Sequence, residues 1–338
     1  MVVEWDASLP HLKRLMGFID KTRARSILFA CHQNADPDAL CSAYVVSKVL
    51  NRINPRLRIS IGAPGGASKI SKGIIEEIPI RLDDMQHLEK MDLFVLFDTN
   101  TIQQLGELGK RILETGKQIA IIDHHAASPT MKEVAQLRIV SEKSRSTCEL
   151  VYNLIEKDRI SLSRKEALCL FMGMAYDTRH FAIASAESFR VAAKLVEAGV
   201  DPEKVMRTLS MPLERSERVA RLKTAQRTRI MDFKGWIIVF SRVSSHQASS
   251  ARGLLSLGAD VAVVGGESDS SLRASIRASN DFLDRTGIHL GRDLAQPLGE
   301  AIGGAGGGHR GAAGINGGKN LERFFTECKK ILAKKLNQ

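Results

Sequence analysis

Four short β-rich runs, SILFAC, LRISIGA, DLFVLF and QIAII, punctuate the first half of the chain, with helix-patterned stretches between them. Strands separated by a helix-length segment pair in parallel, because the crossover returns the chain to the same end of the sheet. The runs carry few polar residues, as strands do when helices cover both faces. The stretch ALCSAYVVSKVLNRI supplies one such helix, with Ala39, Tyr44 and Val45 set against Lys48 and Arg52. This half therefore reads as an α/β domain around a parallel sheet.

At 338 residues the chain has room for two domains that each bury a core. From about Ser144 to Val200 the pattern becomes helical. A charged stretch, DPEKVMRTLSMPLERSERVARLKTAQRTRI, follows; Pro202 suits a helix start and Pro212 a break, so residues 201–230 read as a helical connector. Strand character resumes in GWIIVFSRV, ADVAVVGG and SLRASIRAS. The glycine-dense GGAGGGHRGAAGINGG then precedes an amphipathic helix, LERFFTECKKILAKKL, in which at least one of Phe324 and Phe325 should anchor the core. The expected division is a first domain over 1–200, the connector, and a smaller α/β domain over 231–338.

No apolar run approaches the roughly 18 residues of a membrane span, and MVVEWDASLPHLKRLMGF lacks the apolar core of a secretory signal. The five cysteines are scattered and never spaced as CxxC, which argues against a disulfide framework or zinc cage and for a reducing, cytoplasmic setting without membrane attachment. A formal charge of +11 favours a polyanionic partner. With aromatic residues at only 5%, an extended base-stacking channel is not expected, and grip on a nucleic acid should come from phosphates.

In open α/β sheets ligands bind beyond the carboxyl ends of the strands. After SILFAC come His32, Asp36 and Asp38; after DLFVLF comes Asp98; after QIAII come Asp123, His124 and His125; Asp177 follows FMGMAY. Singly, each has a structural explanation as a helix cap, an Asx turn or a core histidine. Five carboxylates and three imidazoles at one sheet edge, however, would repel and titrate poorly without cations. Oxygen-rich sites with a few imidazoles suit Mn²⁺ or Mg²⁺. Two such ions roughly 3.5–4 Å apart would activate water and stabilise charge building on phosphorus.

HQNADPDA, VLFDTN, IIDHH and AYDTRHF resemble, in order, the four motifs of the DHH phosphoesterase family. The resemblance implies that His32, Asp36 and Asp98 hold one metal while Asp38, Asp98, His124 and Asp177 hold the other, with Asp98 bridging. His125 would face the substrate phosphate and Asp123 would orient an imidazole; with Asp98 these form the implied catalytic set. SRSTCEL resembles a further family segment, in which Ser146 and Thr147 read as hydroxyl caps.

SIRAS followed by GGGHRGAAG resembles the DHH-associated substrate-binding domain, with Arg277 and His309 at matching positions. Arg273 lies four residues before Arg277, so in a strand both project to one face. Gly306, Gly307 and Gly308 offer unobstructed backbone N–H groups beside His309, a candidate anion nest. The remaining histidines, His11, His87, His180, His246 and His289, read as surface or packing residues, with His180 the exception nearest a motif.

The expectation is a two-metal nuclease of the nanoRNase or RecJ-like type, using Mn²⁺ or Mg²⁺, that releases mononucleotides from short single-stranded RNA or DNA. The alternatives are hydrolysis of a cyclic or linear dinucleotide or of a 3′-phosphoadenosine nucleotide and, outside enzymes, a nucleic-acid-binding scaffold. Expected partners are short RNA, DNA or dinucleotides, a second copy of the chain and a repair or replication protein. A hinge at the connector would let ligand binding narrow a cleft between the domains.

Overall fold

The apolar runs become strands within a residue or two of where the sequence places them. The computed structural model describes residues 12–126, 128–210, 213–267, 271–318 and 320–337. The chain divides into two units, Met1–Met211 and Pro212–Gln338.

In the first unit, β1 (Ser26–Cys31), β2 (Arg58–Gly62), β3 (Leu82–Asp83), β4 (Leu93–Phe97), β5 (Gln118–Asp123) and β6 (Leu137–Val140) form one parallel sheet in the order β3-β2-β1-β4-β5-β6. Every residue of β1 and β4 is buried, which is why these runs are apolar after Ser26. Phe29 and Phe97 pack on one face, Leu28, Phe94 and Leu96 on the other. The two strands without a strong sequence signal, β3 and β6, are short edge strands. Strand order reverses between β1 and β4, and such a switch point opens a crevice at the carboxyl ends.

The helix Pro37–Ile53 starts immediately after β1. Asp36 caps it, accepting from the amides of Asp38 (3.0 Å) and Ala39 (3.1 Å), and Pro37 sits where its missing N–H costs nothing. It packs on the helix Arg164–Asp177, opened by a reciprocal cap between Ser163 and Glu166.

The segment expected to be a separate connector is divided between the units. The helix Pro202–Leu209 buries Val205 and Leu209 and packs on Arg164–Asp177 and Lys69–Glu77, whereas the helix Arg215–Gln226 packs on Gln247–Ser256 in the second unit. Val205 and Leu209 tie the first helix to its core, whereas the second buries only Ala220 and Thr224 and leaves Val219 and Leu222 exposed. The break expected at Pro212 and the N-terminal stretch read for a signal, with His11, lie outside the described residues.

In the second unit, β7 (Arg229–Phe233), β8 (Trp236–Arg242), β9 (Val261–Glu267), β10 (Leu272–Ala278), β11 (Ala305–His309) and β12 (Ala312–Gly317) form a sheet in the order β11-β12-β10-β9-β8-β7. Pairing is antiparallel except between β8 and β9. Phe324 is fully buried and anchors the last helix, Leu321–Leu336. All five cysteines are free and buried, and no helix among the described residues is long and apolar enough to cross a membrane.

Candidate metal centre and anion-binding face

The switch point gathers the residues that follow β1, β4 and β5. His32 leaves β1, its Nδ1 is 2.9 Å from Gln33 O, and its Nε2 faces Asp36 Oδ1 at 3.6 Å and Asp98 Oδ2 at 4.0 Å. Asp98 follows β4 with left-handed backbone, φ 51°, uncommon for a non-glycine residue and maintained where the surroundings over-determine it. Its Oδ1 accepts from Thr147 Oγ1 at 3.0 Å.

Asp38 is fully buried on the first turn of its helix and is held by the start of another. Thr147 N donates to Oδ2 at 2.6 Å and Cys148 N to Oδ1 at 2.9 Å, at the N-terminus of Thr147–Lys157. Thr147, expected to act only as a local cap, therefore binds two of the site's carboxylates; Ser146 does cap, accepting from Glu149 N. That role was invisible in sequence because more than a hundred residues separate Thr147 from Asp38.

His124 Nε2 lies 3.0 Å from Asp177 Oδ2 and 3.5 Å from Asp98 Oδ1. His125 turns its Nδ1 back to Asp123 Oδ1 at 3.0 Å, and that oxygen also accepts the His125 amide at 2.8 Å. Asp123 thus orients His125 rather than His124, and no described residue bonds the outer nitrogen of this half-exposed ring.

Three ligand groups result, each with its donor atoms within 4.8 Å of one another: His32, Asp36 and Asp98; Asp38, His124 and Asp177; and Asp98, Asp123, His124 and His125. The first contains the three residues of one expected set and the second three of the four of the other, Asp98 Oδ1 lying 3.5 Å from His124 Nε2.

The electrostatics fit cations. Burial disfavours a charged His32 ring, yet the hydrogen bond to Asp36 and the nearby acids push it up to about 9. Hydrogen bonds to Asp123 and Asp98 push His125 up to about 10. Burial, then the charges of Asp98, Asp177 and Asp36, raises Asp38 well above the carboxylate range. Burial would raise Asp98 too, but its imidazole neighbours bring it below its ordinary value. The cluster draws protons to itself because it lacks positive charge, which a divalent cation would supply instead. Among the described residues, Asp123 Oδ2 and His124 Nε2 are buried without a well-aligned hydrogen-bond partner, as groups poised for a cation are.

In the second unit, strand alternation sorts β10 by face. Leu272, Ala274 and Ile276 point into the core, and Arg273, Ser275 and Arg277 point the other way. His309 pairs with Ala312, which pairs with Arg277, so the histidine and arginine share a face across one small residue. Gly307 pairs with Gly314 in the next row, and a side chain at either would meet nothing within 4 Å. Burial and then the charge of Arg252, a residue the sequence reading missed, pull the Arg277 guanidinium below its usual value. The Arg277 Nη1 donates to Ile276 O (2.9 Å) and Ala313 O (3.3 Å), leaving it without a carboxylate partner among the described residues.

The glycine run differs from expectation. It forms the hairpin of β11 and β12 rather than a loop nest. Gly306 and Gly308 are small because the backbone of Ala295 and of Ala312 presses against them; of the three, Gly307 alone leaves open space. Among the other histidines, His87 faces Glu89 at 3.3 Å and His289 caps Arg292 N at 3.1 Å, both local roles.

The model of the DHH family, N-terminal domain, matches residues 26–174. An uncharacterised protein of Methanocaldococcus jannaschii is 30% identical over 326 residues, covering 95% of this chain and 97% of that protein. The cyclic-di-AMP phosphodiesterase PdeA of Listeria monocytogenes is 24% identical over 53% of this chain, a match spanning only 29% of that longer protein. The crystal structure of an exopolyphosphatase-related protein from Bacteroides fragilis shares the fold, with a TM-score of 0.65 at 18% identity, covering 98% of this chain and 97% of that one. The family model and the ordered set of acids and imidazoles at the switch point thus agree: the chain belongs to the DHH family of phosphoesterases.

Proposed function

We propose that the chain is a metal-dependent phosphodiesterase that hydrolyses short RNA or single-stranded DNA to mononucleotides, with two divalent cations, Mn²⁺ or Mg²⁺. The carrying observation is the pair of ligand trios, His32–Asp36–Asp98 and Asp38–His124–Asp177, with Asp98 within reach of both. Two bound cations supply Lewis acidity toward a phosphoryl group and lower the pKa of water. The chain's own residues do the positioning. Thr147 and the amides at residues 147 and 148 fix Asp98 and Asp38. His125, its Nδ1 committed to Asp123, presents the other nitrogen to a substrate phosphate oxygen. Arg277 and His309, with Arg273, Arg252 and open backbone at Gly307, bind a phosphate end of the substrate.

A second reading, hydrolysis of a cyclic or linear dinucleotide, is favoured by the similarity to a cyclic-di-AMP phosphodiesterase over half of the chain. Incubating the purified chain with Mn²⁺ or Mg²⁺ and end-labelled RNA and DNA of two to about twenty nucleotides, with cyclic dinucleotides in parallel, separates the two. Stepwise release of mononucleotides that disappears in Asp98→Ala supports the nuclease. Cleavage confined to dinucleotides selects the second reading, and cleavage that persists in Asp98→Ala removes both.

A further inference from the structure

Beyond Asp177 the backbone turns in an uncommon way: Arg179, His180 and Phe181 all hold left-handed conformations, with φ of 52°, 56° and 66°. None is glycine, and arginine and phenylalanine seldom occupy that region. The turn is held from several sides. His180 N donates to Ala175 O at 2.6 Å, Ile183 N to Thr178 O at 3.1 Å, and Phe181 N to Thr178 Oγ1 at 3.1 Å. The Phe181 ring packs between Phe171 and Phe189, with centroids 5.2 and 6.0 Å away. Backbone strain that its surroundings enforce clusters where side-chain placement serves function.

What the turn places is positive charge beside the metal centre. Arg179 and His180 line a cavity of about 750 Å³, on the scale of a small-molecule site, together with His124, His125 and Asp177. Arg145 lines it too, and Tyr176 and Ile183 add apolar surface. The Arg145 and Arg179 side chains are exposed and make no hydrogen bond or ion pair among the described residues. Glu142 is the acid that lines the cavity away from the metal ligands, so the two guanidinium groups are incompletely balanced. The volume exceeds the needs of one phosphate group, and guanidinium forks match phosphate oxygens better than any other side chain does.

We infer that Arg145 and Arg179, assisted by His180, form a subsite for the internucleotide phosphate next to the one hydrolysed, with Tyr176 and Ile183 against the intervening nucleoside. The inference rests on the phosphodiesterase reading and narrows its substrate to linear chains of three or more nucleotides. A dinucleotide carries a single internucleotide phosphate, which goes to the metal centre, leaving this subsite empty.

The test is equilibrium binding, by calorimetry, of 5′-phosphorylated adenylate trimer and dimer to the full chain carrying Asp98→Asn, which stops hydrolysis. The trimer should bind about tenfold tighter than the dimer. Arg145→Ala and Arg179→Ala should each remove most of that advantage, Arg179→Lys should restore part of it, and Arg277→Ala should weaken both ligands alike. Each lost arginine should also flatten the slope of log Kd on log salt for the trimer by about 0.7. Arg179→Gly removes the side chain while relieving the left-handed backbone, so its melting temperature should be preserved or raised as the trimer advantage falls. A trimer advantage unchanged in folded Arg179→Gly, or equal weakening of trimer and dimer by the arginine variants, overturns the subsite. Cleavage by the unsubstituted chain is scored separately: its absence removes the phosphodiesterase reading, whereas loss of the trimer effect alone removes only the subsite.

Discussion

The two units build their candidate sites by opposite means. The first uses a parallel sheet, buried on both faces, whose reactive groups stand at the strand ends and on the helix turns beside them. The second uses a largely antiparallel sheet and places its candidate residues on the strands, with glycine and alanine as floor and arginine and histidine as walls. Parallel strands must bury every side chain along their length, so chemistry is confined to their ends. An antiparallel sheet tolerates one open face, so chemistry can spread along it. The two sites also differ in sign of charge: the first unit concentrates acids around a demand for cations, and the second gathers Arg252, Arg273 and Arg277 around a demand for anions.

The sharpest way to break this contrast is to remove the acid that adjoins both metal trios. Asp98→Ala should lower the rate of metal-dependent hydrolysis by about 10³-fold or more, with the loss in kcat rather than KM. Retained activity would mean that the trios do not operate as a metal pair. Chelation should abolish activity in the unsubstituted chain, and Mn²⁺ should raise its melting temperature by mass action, an effect that Asp98→Ala weakens.

Next in size are two alanine substitutions in one hairpin. Gly306→Ala should destabilise the second unit by about 1–3 kcal/mol, because the new methyl would press on the Ala295 carbonyl. Gly307→Ala meets no neighbour, so it should leave the melting temperature nearly unchanged while raising KM. The pair is read by thermal unfolding alongside kinetics. Equal melting shifts would erase the distinction between a packing glycine and a binding one.

Arg277→Ala should raise KM by about tenfold with a smaller change in kcat, as expected for a group that binds substrate and transition state alike. A loss confined to kcat would instead bring Arg277 into the chemistry assigned to the first unit.

The smallest effect is in the pH dependence of the metal-free chain. His32 and His125 have folded pKa values raised to about 9 and about 10. Their contribution to stability is complete below the unfolded histidine value, about 6.5, and is lost as pH rises through the folded values. The melting temperature of the chelated protein should therefore decline by a few degrees between pH 7 and 10. Bound cations replace those protons, so the decline should shrink when metal is present. A flat profile without metal would contradict the proton-seeking character of the cluster.

Much of the candidate metal centre was legible because the signal is local: a buried apolar strand followed at once by acids and histidines reads the same in sequence and in space. His32, Asp36, Asp38, Asp98, His124 and Asp177 each sit within one turn of a strong strand or helix pattern. The edge strands Leu82–Asp83 and Leu137–Val140 were not legible, since two to four residues carry too little periodicity. Nor were Thr147 and Arg252, whose partners are contributed by distant elements. The expected connector, residues 201–230, supplies one helix that packs within the first unit and one that packs within the second, partners its charged pattern does not record.

The linear order of residues therefore dictated which strands form, which faces they bury and which ionisable groups gather at their ends, because hydrophobic periodicity and strand-end chemistry act over a few residues. Folding in three dimensions settled which imidazole Asp123 holds, that Gly307 is open while Gly306 is packed, and that Arg145 and Arg179, unpaired among the described residues, line a cavity with the metal ligands. Those outcomes depend on contacts between segments far apart in the chain, and no local pattern records where a crossover or a hairpin will set two side chains side by side.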